Sequence, residues 1–231
     1  MKPVMDCWIC GQPADSAEHL LKGSDLRAEF GPVSQNRPLY FHSSVAKNVR
    51  KRSIKDDAFK SKALLCSHCN NALSQPYDRA WERLSAALRN QSALAPWQFI
   101  HLNKIFPHHR TSMLDVHLYF VKTFGCRIVE DGIPIDIKPF RDALTKGEAH
   151  PQVFIAIGPP QISLPGAKVM AYTKITTVKT ADDRHVYAHW ALHLKKTTVL
   201  IMYAEQGQRI NSELQAWHPD TQRRLLRIAK F

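Results

Sequence analysis

A chain of 231 residues is long enough for one large domain or two modest ones, with a core that needs no disulfides. Its 44% apolar content is ordinary for a soluble globular protein, and no run of about 18 apolar residues offers a membrane span. A net charge of +12, with a pI near 9.6, points to a polyanionic partner, nucleic acid first among them.

The segment Met1 to Cys10 has no apolar stretch of the secretory kind, so no export signal is expected and the cytoplasm is the expected compartment. Four of the five cysteines fall into two pairs, Cys7-Trp8-Ile9-Cys10 and Cys66-Ser67-His68-Cys69. That usage fits metal binding in a reducing compartment better than a disulfide framework. Four thiolates saturate a tetrahedral Zn²⁺ and leave no position for water, so the expected zinc is structural. Gly11 suits the tight turn of the first knuckle. Cys126 is left over and reads as a buried, inert thiol.

From Ala14 to Leu21 the chain reads as extended and carries Glu18-His19. Residues 22–62 form a long polar insert with Gly23, Gly31, Pro32 and Pro38. A structureless loop of that length is rare in a compact domain, so a short helix, or a strand around Leu39-Tyr40-Phe41, is expected within it, unless it orders only on its ligand. A basic run, Lys47-Asn48-Val49-Arg50-Lys51-Arg52, is extended by Lys55, Lys60 and Lys62. Ala63-Leu64-Leu65 leads into the second knuckle, followed at once by Asn70 and Asn71. A helix starts near Ser74, with Ser74 or Gln75 as cap, Pro76 in the first turn and Asp78 at the positive end of the dipole. Ala80, Trp81, Leu84, Ala87 and Leu88 recur at helical spacing, and the helix ends by Pro96.

Met113–Phe124 is predicted to be an amphipathic helix with Leu114, His117, Leu118 and Val121 on one stripe. Asp136–Lys146 is predicted as a second, stopped by Gly147. Four strand-like runs follow: Val153–Ile157, Lys168–Lys179, Arg184–Leu194 and Thr197–Ala204. Turns at Ala181-Asp182-Asp183 and Lys195-Lys196 make the last three an antiparallel meander. A basic helix, Pro219–Lys230, closes the chain. His185, His189 and His193 share one strand face, but roughly 26 Å separates the outer two, too far for one ion. They read as a polar face, and His108-His109 as loop.

The combination Cys7-x-x-Cys10, Glu18-His19 and Cys66-x-x-Cys69-Asn70-Asn71 resembles the HNH, or ββα-metal, endonucleases that carry a double Cys-x-x-Cys zinc clamp. The resemblance covers residues 1 to about 74. It implies an α+β fold: a zinc-clamped HNH-like nuclease domain with its following helix over residues 1–95. An α+β domain with an antiparallel meander follows over 96–231. That second domain would contact DNA, self-associate or dock a partner protein. The resemblance implies metal-dependent hydrolysis of phosphodiester bonds, with double-stranded DNA the expected substrate, as in bacterial antiviral or mobile-element systems. His19 would be the general base. Glu18 and Asn70 would hold Mg²⁺ or Mn²⁺, with Asn71 competing for Asn70's place, because adjacent helical side chains diverge by about 100°.

A hard cation takes such oxygen ligands, and a histidine near neutrality suits the proton acceptor. Lys47, Arg50, Lys51, Arg52 and Lys55, with Arg79 and Arg83 on the next helix, are placed to grip phosphates. Two departures stand out. Glu18 replaces the more frequent Asp. The residue that orients the base has no counterpart shortly before the second knuckle, leaving Asn36, His42 and Asn48 as candidates. That gap supports an alternative reading: a zinc-stabilised DNA- or RNA-binding protein whose nuclease-like core is inactive.

Overall fold

A computed structural model of the protein describes residues 5–210, 214–221 and 224–231, the side chains of 63 and 64 excepted. The start of the Met1–Cys10 segment and part of the expected closing helix therefore lie outside the described residues. In chain order the elements are β1 Ser16–His19, α1 Gly23–Phe30, β2 Leu39–Phe41, β3 Val49–Lys51, β4 Lys60–Leu65, α2 Gln75–Arg89, β5 Phe99–His101, α3 His109–Asp131, α4 Lys138–Lys146, β6 Val153–Gly158, β7 Ala171–Tyr172, β8 Thr176–Lys179, β9 His185–His193, β10 Thr198–Ala204 and β11 Leu225–Arg227. A π-helical turn, His68–Leu73, joins β4 to α2.

The 22–62 insert is ordered by its own pieces. Helix α1 opens it, and β2 and β3 pair as a hairpin, Leu39 opposite Lys51 and Phe41 opposite Val49. Phe41 and Phe59 then meet edge to face, with ring centroids 6.0 Å apart, which closes the hairpin over the core.

Helix α3 departs from expectation in length and in burial. It runs well beyond 113–124, and every residue from Val116 to Ile128 is buried. One apolar stripe would suffice on a surface helix. Here α2 and β4 pack on one flank, and α4 and β6 on another, so no face is left to solvent. Gly132, at φ 63, ends the helix in the left-handed conformation that glycine tolerates best. Among the described residues no helix is long and apolar enough to cross a membrane. A single apolar cluster reaches from Cys7 through α3 to Ile228, so the boundary expected between 95 and 96 divides the chain without dividing its core.

The meander forms as read. β10 pairs antiparallel with β9 (Ile201 opposite Trp190), and β6 adds to the far edge of β10. The run Lys168–Lys179 breaks into β7 and β8, both paired to β9. On that sheet the His193 ring meets the Thr198 hydroxyl at 3.1 Å. The predicted closing helix is a correction. Among the described residues of that stretch, Pro219–Thr221 makes a short 3₁₀ turn and Leu225–Arg227 is a strand paired with β5. Leu226 is buried in the core while its neighbours face outward, an alternation that suits a strand.

Three histidines are buried where α3, the segment before β6 and the 3₁₀ turn meet: His117, His150 and His218. Backbone amides of His150, Gln152 and Asp220 donate to His117 Nε2, His150 Nδ1 and His218 Nδ1. His117 Nε2 and His150 Nδ1 cannot take a proton without losing those bonds. Burial, and the neighbouring imidazoles, push His117 below the ordinary histidine range and bring His150 down to about 4. The unfolded chain then binds protons that the native state refuses, so stability is complete above about pH 6.5 and falls below it. Between pH 7.5 and 5.5 each of the two should cost about 1.4 kcal/mol of stability. Urea unfolding at pH 7.5 and 5.5 measures this; equal stability at the two values would contradict it.

Candidate functional site

The zinc knuckles are built by local hydrogen bonds. Cys7 donates its amide to the Gln12 carbonyl at 2.7 Å, and Gly11, at φ 76, donates back to the Cys7 carbonyl at 2.8 Å. In the second knuckle the Cys69 amide points at Cys66 Sγ, 3.4 Å away, and Asp15 Oδ1 accepts from both the amide and the hydroxyl of Ser67. All four sulfurs of Cys7, Cys10, Cys66 and Cys69 lie within 4.8 Å of one another, with Cys10 and Cys66 3.5 Å apart. Tetrahedral Zn²⁺ with bonds of about 2.3 Å needs sulfurs roughly 3.8 Å apart, whereas a disulfide needs about 2.05 Å. The cluster therefore fits a structural zinc, and three of its four members are buried.

The clamp is docked onto α3. Trp8, inside the first knuckle, lies against Gly125, where a Cβ would come within 2.5 Å of its ring. Its indole N–H reaches Cys126 Sγ at 3.3 Å, and its carbonyl accepts from Arg141 Nε at 3.0 Å. Complete burial pushes the Cys126 thiol up to about 12, the inert state expected of it.

β1 runs from the clamp and pairs with β4, Ser16 opposite Leu65 and His19 opposite Lys60, with an irregularity between Ala17 and His19. Successive strand side chains point to opposite faces. Glu18 goes inward. Its Oε1 accepts the His19 amide at 3.0 Å, and its Oε2 lies 2.5 Å from Lys122 Nζ on α3. Lys122 is fully buried and also meets Asp78 Oδ1 at 3.2 Å and Ser74 Oγ at 3.0 Å, while Lys22 pairs with Asp78 Oδ2 at 3.0 Å. Burial alone would pull the Lys122 ammonium down, but Glu18 and Asp78 outweigh it and hold it above its ordinary value. Two carboxylates and two ammonium groups thus balance, Glu18 and Lys122 in the interior and Asp78 and Lys22 nearer the surface.

His19 faces the other way and is half-buried. The Ile54 carbonyl beside it favours the protonated ring. Burial outweighs that and lowers its pKa, and the charges of Lys60 and Lys22 add to the lowering against the pull of Glu18. In the neutral ring one nitrogen carries the lone pair a base uses. Of the candidates to orient the base, His42 accepts from the Asn48 amide inside the β2–β3 hairpin.

Asn70 sits on the π-helical turn and reaches back to β1, donating from Nδ2 to Ser16 Oγ at 2.8 Å and to the Ala17 carbonyl at 3.3 Å. Its Oδ1 is buried and has no hydrogen-bond partner among the described residues. Asn71 is exposed and donates to the Ser67 carbonyl one turn back. Ser74 does not cap α2 through its side chain; its hydroxyl donates to the Asn70 carbonyl at 2.9 Å.

The expected Mg²⁺ or Mn²⁺ ligands, Glu18, Asn70 and Asn71, are therefore not brought together as an oxygen cage. Glu18 is spent on Lys122, Asn71 looks along its own turn, and Asn70 Oδ1 alone is uncommitted. The donor set does not fit a hard cation, which takes several oxygens at once. Charge balance explains the difference. Lys122 falls in the apolar run Leu118–Phe124 of α3 and, once buried, must find carboxylates inside the protein. That interruption was the legible signal for Lys122, which sequence reasoning passed over, as it passed over the inward role of Asp78.

The basic residues are better placed. Lys47, Arg50, Arg52 and Lys55 are exposed, whereas Lys51 is half-buried and paired with Asp56 at 2.7 Å. Arg50, Arg52 and Lys55, with Ser53 and Asp56, line a shallow concavity of about 440 Å³. Arg79 and Arg83 are exposed on α2, and the Arg83 guanidinium lies 5.6 Å from the Phe106 ring centre.

Comparison with protein-family models, curated proteins and solved structures finds no match to this chain.

Proposed function

We propose that this protein is an HNH-like endonuclease that hydrolyses DNA phosphodiester bonds, with His19 as general base. One observation carries the reading: on β1, the strand that runs from the four-cysteine cluster, a half-buried imidazole has its pKa lowered by burial, with the Ile54 carbonyl and two lysines around it. In the scheme, the free nitrogen of His19 takes a proton from water as the resulting hydroxide attacks phosphorus and the leaving oxygen departs. The Ile54 carbonyl steadies the ring and the imidazolium that forms. Lys22 and Lys60 supply positive potential near the ring, and Arg50, Arg52 and Lys55 hold flanking phosphates. No step of this scheme passes through a bound cation.

A second reading is favoured by the Glu18–Lys122 pair: a zinc-stabilised nucleic-acid-binding protein whose core does not cut. Supercoiled plasmid incubated with Mg²⁺ or Mn²⁺ separates the two, with gel-shift binding measured in parallel. The nuclease reading expects nicking by the wild type and a loss of about 10²-fold or more in His19→Ala with its fold intact. Binding without nicking under either metal would leave the second reading. Glu18→Gln adds a further distinction: activity kept with lowered stability fits the ion pair, and activity lost with stability kept fits a metal ligand.

A further inference from the structure

We infer that the outer face of the β5–β11 ribbon is a second nucleic-acid surface, one that stacks the unpaired bases of a single strand. It extends the nucleic-acid reading above without depending on His19. The ribbon pairs Phe99 with Arg227, Ile100 with Leu226 and His101 with Leu225. Ile100 and Leu226 are buried and fix it to the core, which turns Phe99, His101 and Arg227 outward.

Trp97 joins the same face. It is held at φ 69, a conformation side chains rarely adopt, by its own amide on the Ile228 carbonyl at 2.9 Å and by the Ile228 amide on the Gln98 carbonyl at 2.8 Å. The Arg227 guanidinium lies 4.6 Å from the Trp97 ring centre and 5.7 Å from that of Phe99, steadied by Gln215 Oε1 at 2.9 Å. Among the described residues Arg227 has no carboxylate partner. Trp97 is 40% exposed and Phe99 49%, while the other four tryptophans are 8% exposed or less.

Charge selects the occupant. No Asp or Glu occurs between Glu82 and Asp115 or after Asp220, and Lys104, Arg224 and Lys230 are exposed on these same segments. Large aromatic faces interleaved with unpaired guanidinium and ammonium groups suit flat bases joined by phosphates. A duplex keeps its base faces hidden in the stack, so the preference is for unpaired strands.

Trp97 is also the reporter. Titrating the protein with oligothymidylate should quench the fluorescence of its one exposed tryptophan. Anisotropy with a labelled single strand should show roughly tenfold weaker binding in Trp97→Ala and in Arg227→Ala. Trp97→Phe should bind as the wild type does, a duplex of the same length should be little affected by any of the three, and His19→Ala should keep full single-strand binding. Absent quenching, wild-type affinity in Trp97→Ala, or equal losses for single strand and duplex would each overturn the inference. Cleavage with no quenching sinks this inference alone; quenching without cleavage sinks the nuclease reading alone.

Discussion

Replacing Cys66 by Ser is expected to cost the protein its zinc and the cooperative fold of its first third. Cys66 closes β4 and faces Cys10 at 3.5 Å, so its sulfur joins two pieces of chain that are far apart in sequence. Structural zinc contributes on the order of 10 kcal/mol to folding in small domains, comparable to the whole stability of an ordinary domain. Loss should spread through Trp8, whose ring packs on Gly125 and whose indole bonds Cys126. Atomic absorption should give one zinc per wild-type chain and none in Cys66→Ser. Calorimetry should show the single transition of the wild type broadened and lowered in the variant. Equal metal content and an unchanged transition would exclude the clamp. Cobalt substitution offers an independent check, since four thiolates around Co²⁺ give the visible bands of a tetrahedral sulfur site.

Lys122→Met should be the most damaging single change outside the clamp. It leaves Glu18 buried without its cation, while Asp78 keeps Lys22 at 3.0 Å, and breaking a buried pair in this way costs about 3–5 kcal/mol. In a chain of this size the melting temperature should fall by on the order of 10 °C. The double variant Lys122→Met/Glu18→Gln should recover part of the loss, because the stranded charge goes with its partner. A double-mutant cycle measures that coupling. Additive losses, or a Lys122→Met protein as stable as the wild type, would contradict the ion quartet.

The elements were legible where one local signal dominates. The two Cys-x-x-Cys turns, the start of α2 at Pro76, the glycine stops after α3 and α4 and the alternation in β9 each depend on neighbours in sequence, and each forms. Failures lie where tertiary contacts decide. Leu225–Arg227 has the composition of a basic helix, but β5 offers a strand edge and a pocket for Leu226, and pairing wins over propensity. The stripe on α3 was real, yet only packing from both flanks buries every residue from Val116 to Ile128. Glu18-His19 was legible as a motif but not in direction. The alternation of a strand sends one residue inward and one outward, and Lys122, more than a hundred residues away, captures the acid. The surroundings of His19 were illegible for a plainer reason: the Ile54 carbonyl beside the ring belongs to the backbone and leaves no mark on the sequence.

The account stands on His19 as the group that activates water, and chemical rescue tests that most directly. A His19→Gly protein, shown by circular dichroism to be folded and zinc-loaded, should leave supercoiled plasmid almost untouched. Added imidazole should then restore nicking in proportion to its concentration, by supplying the base from solution. Nicking by His19→Gly at the wild-type rate without imidazole would contradict the account.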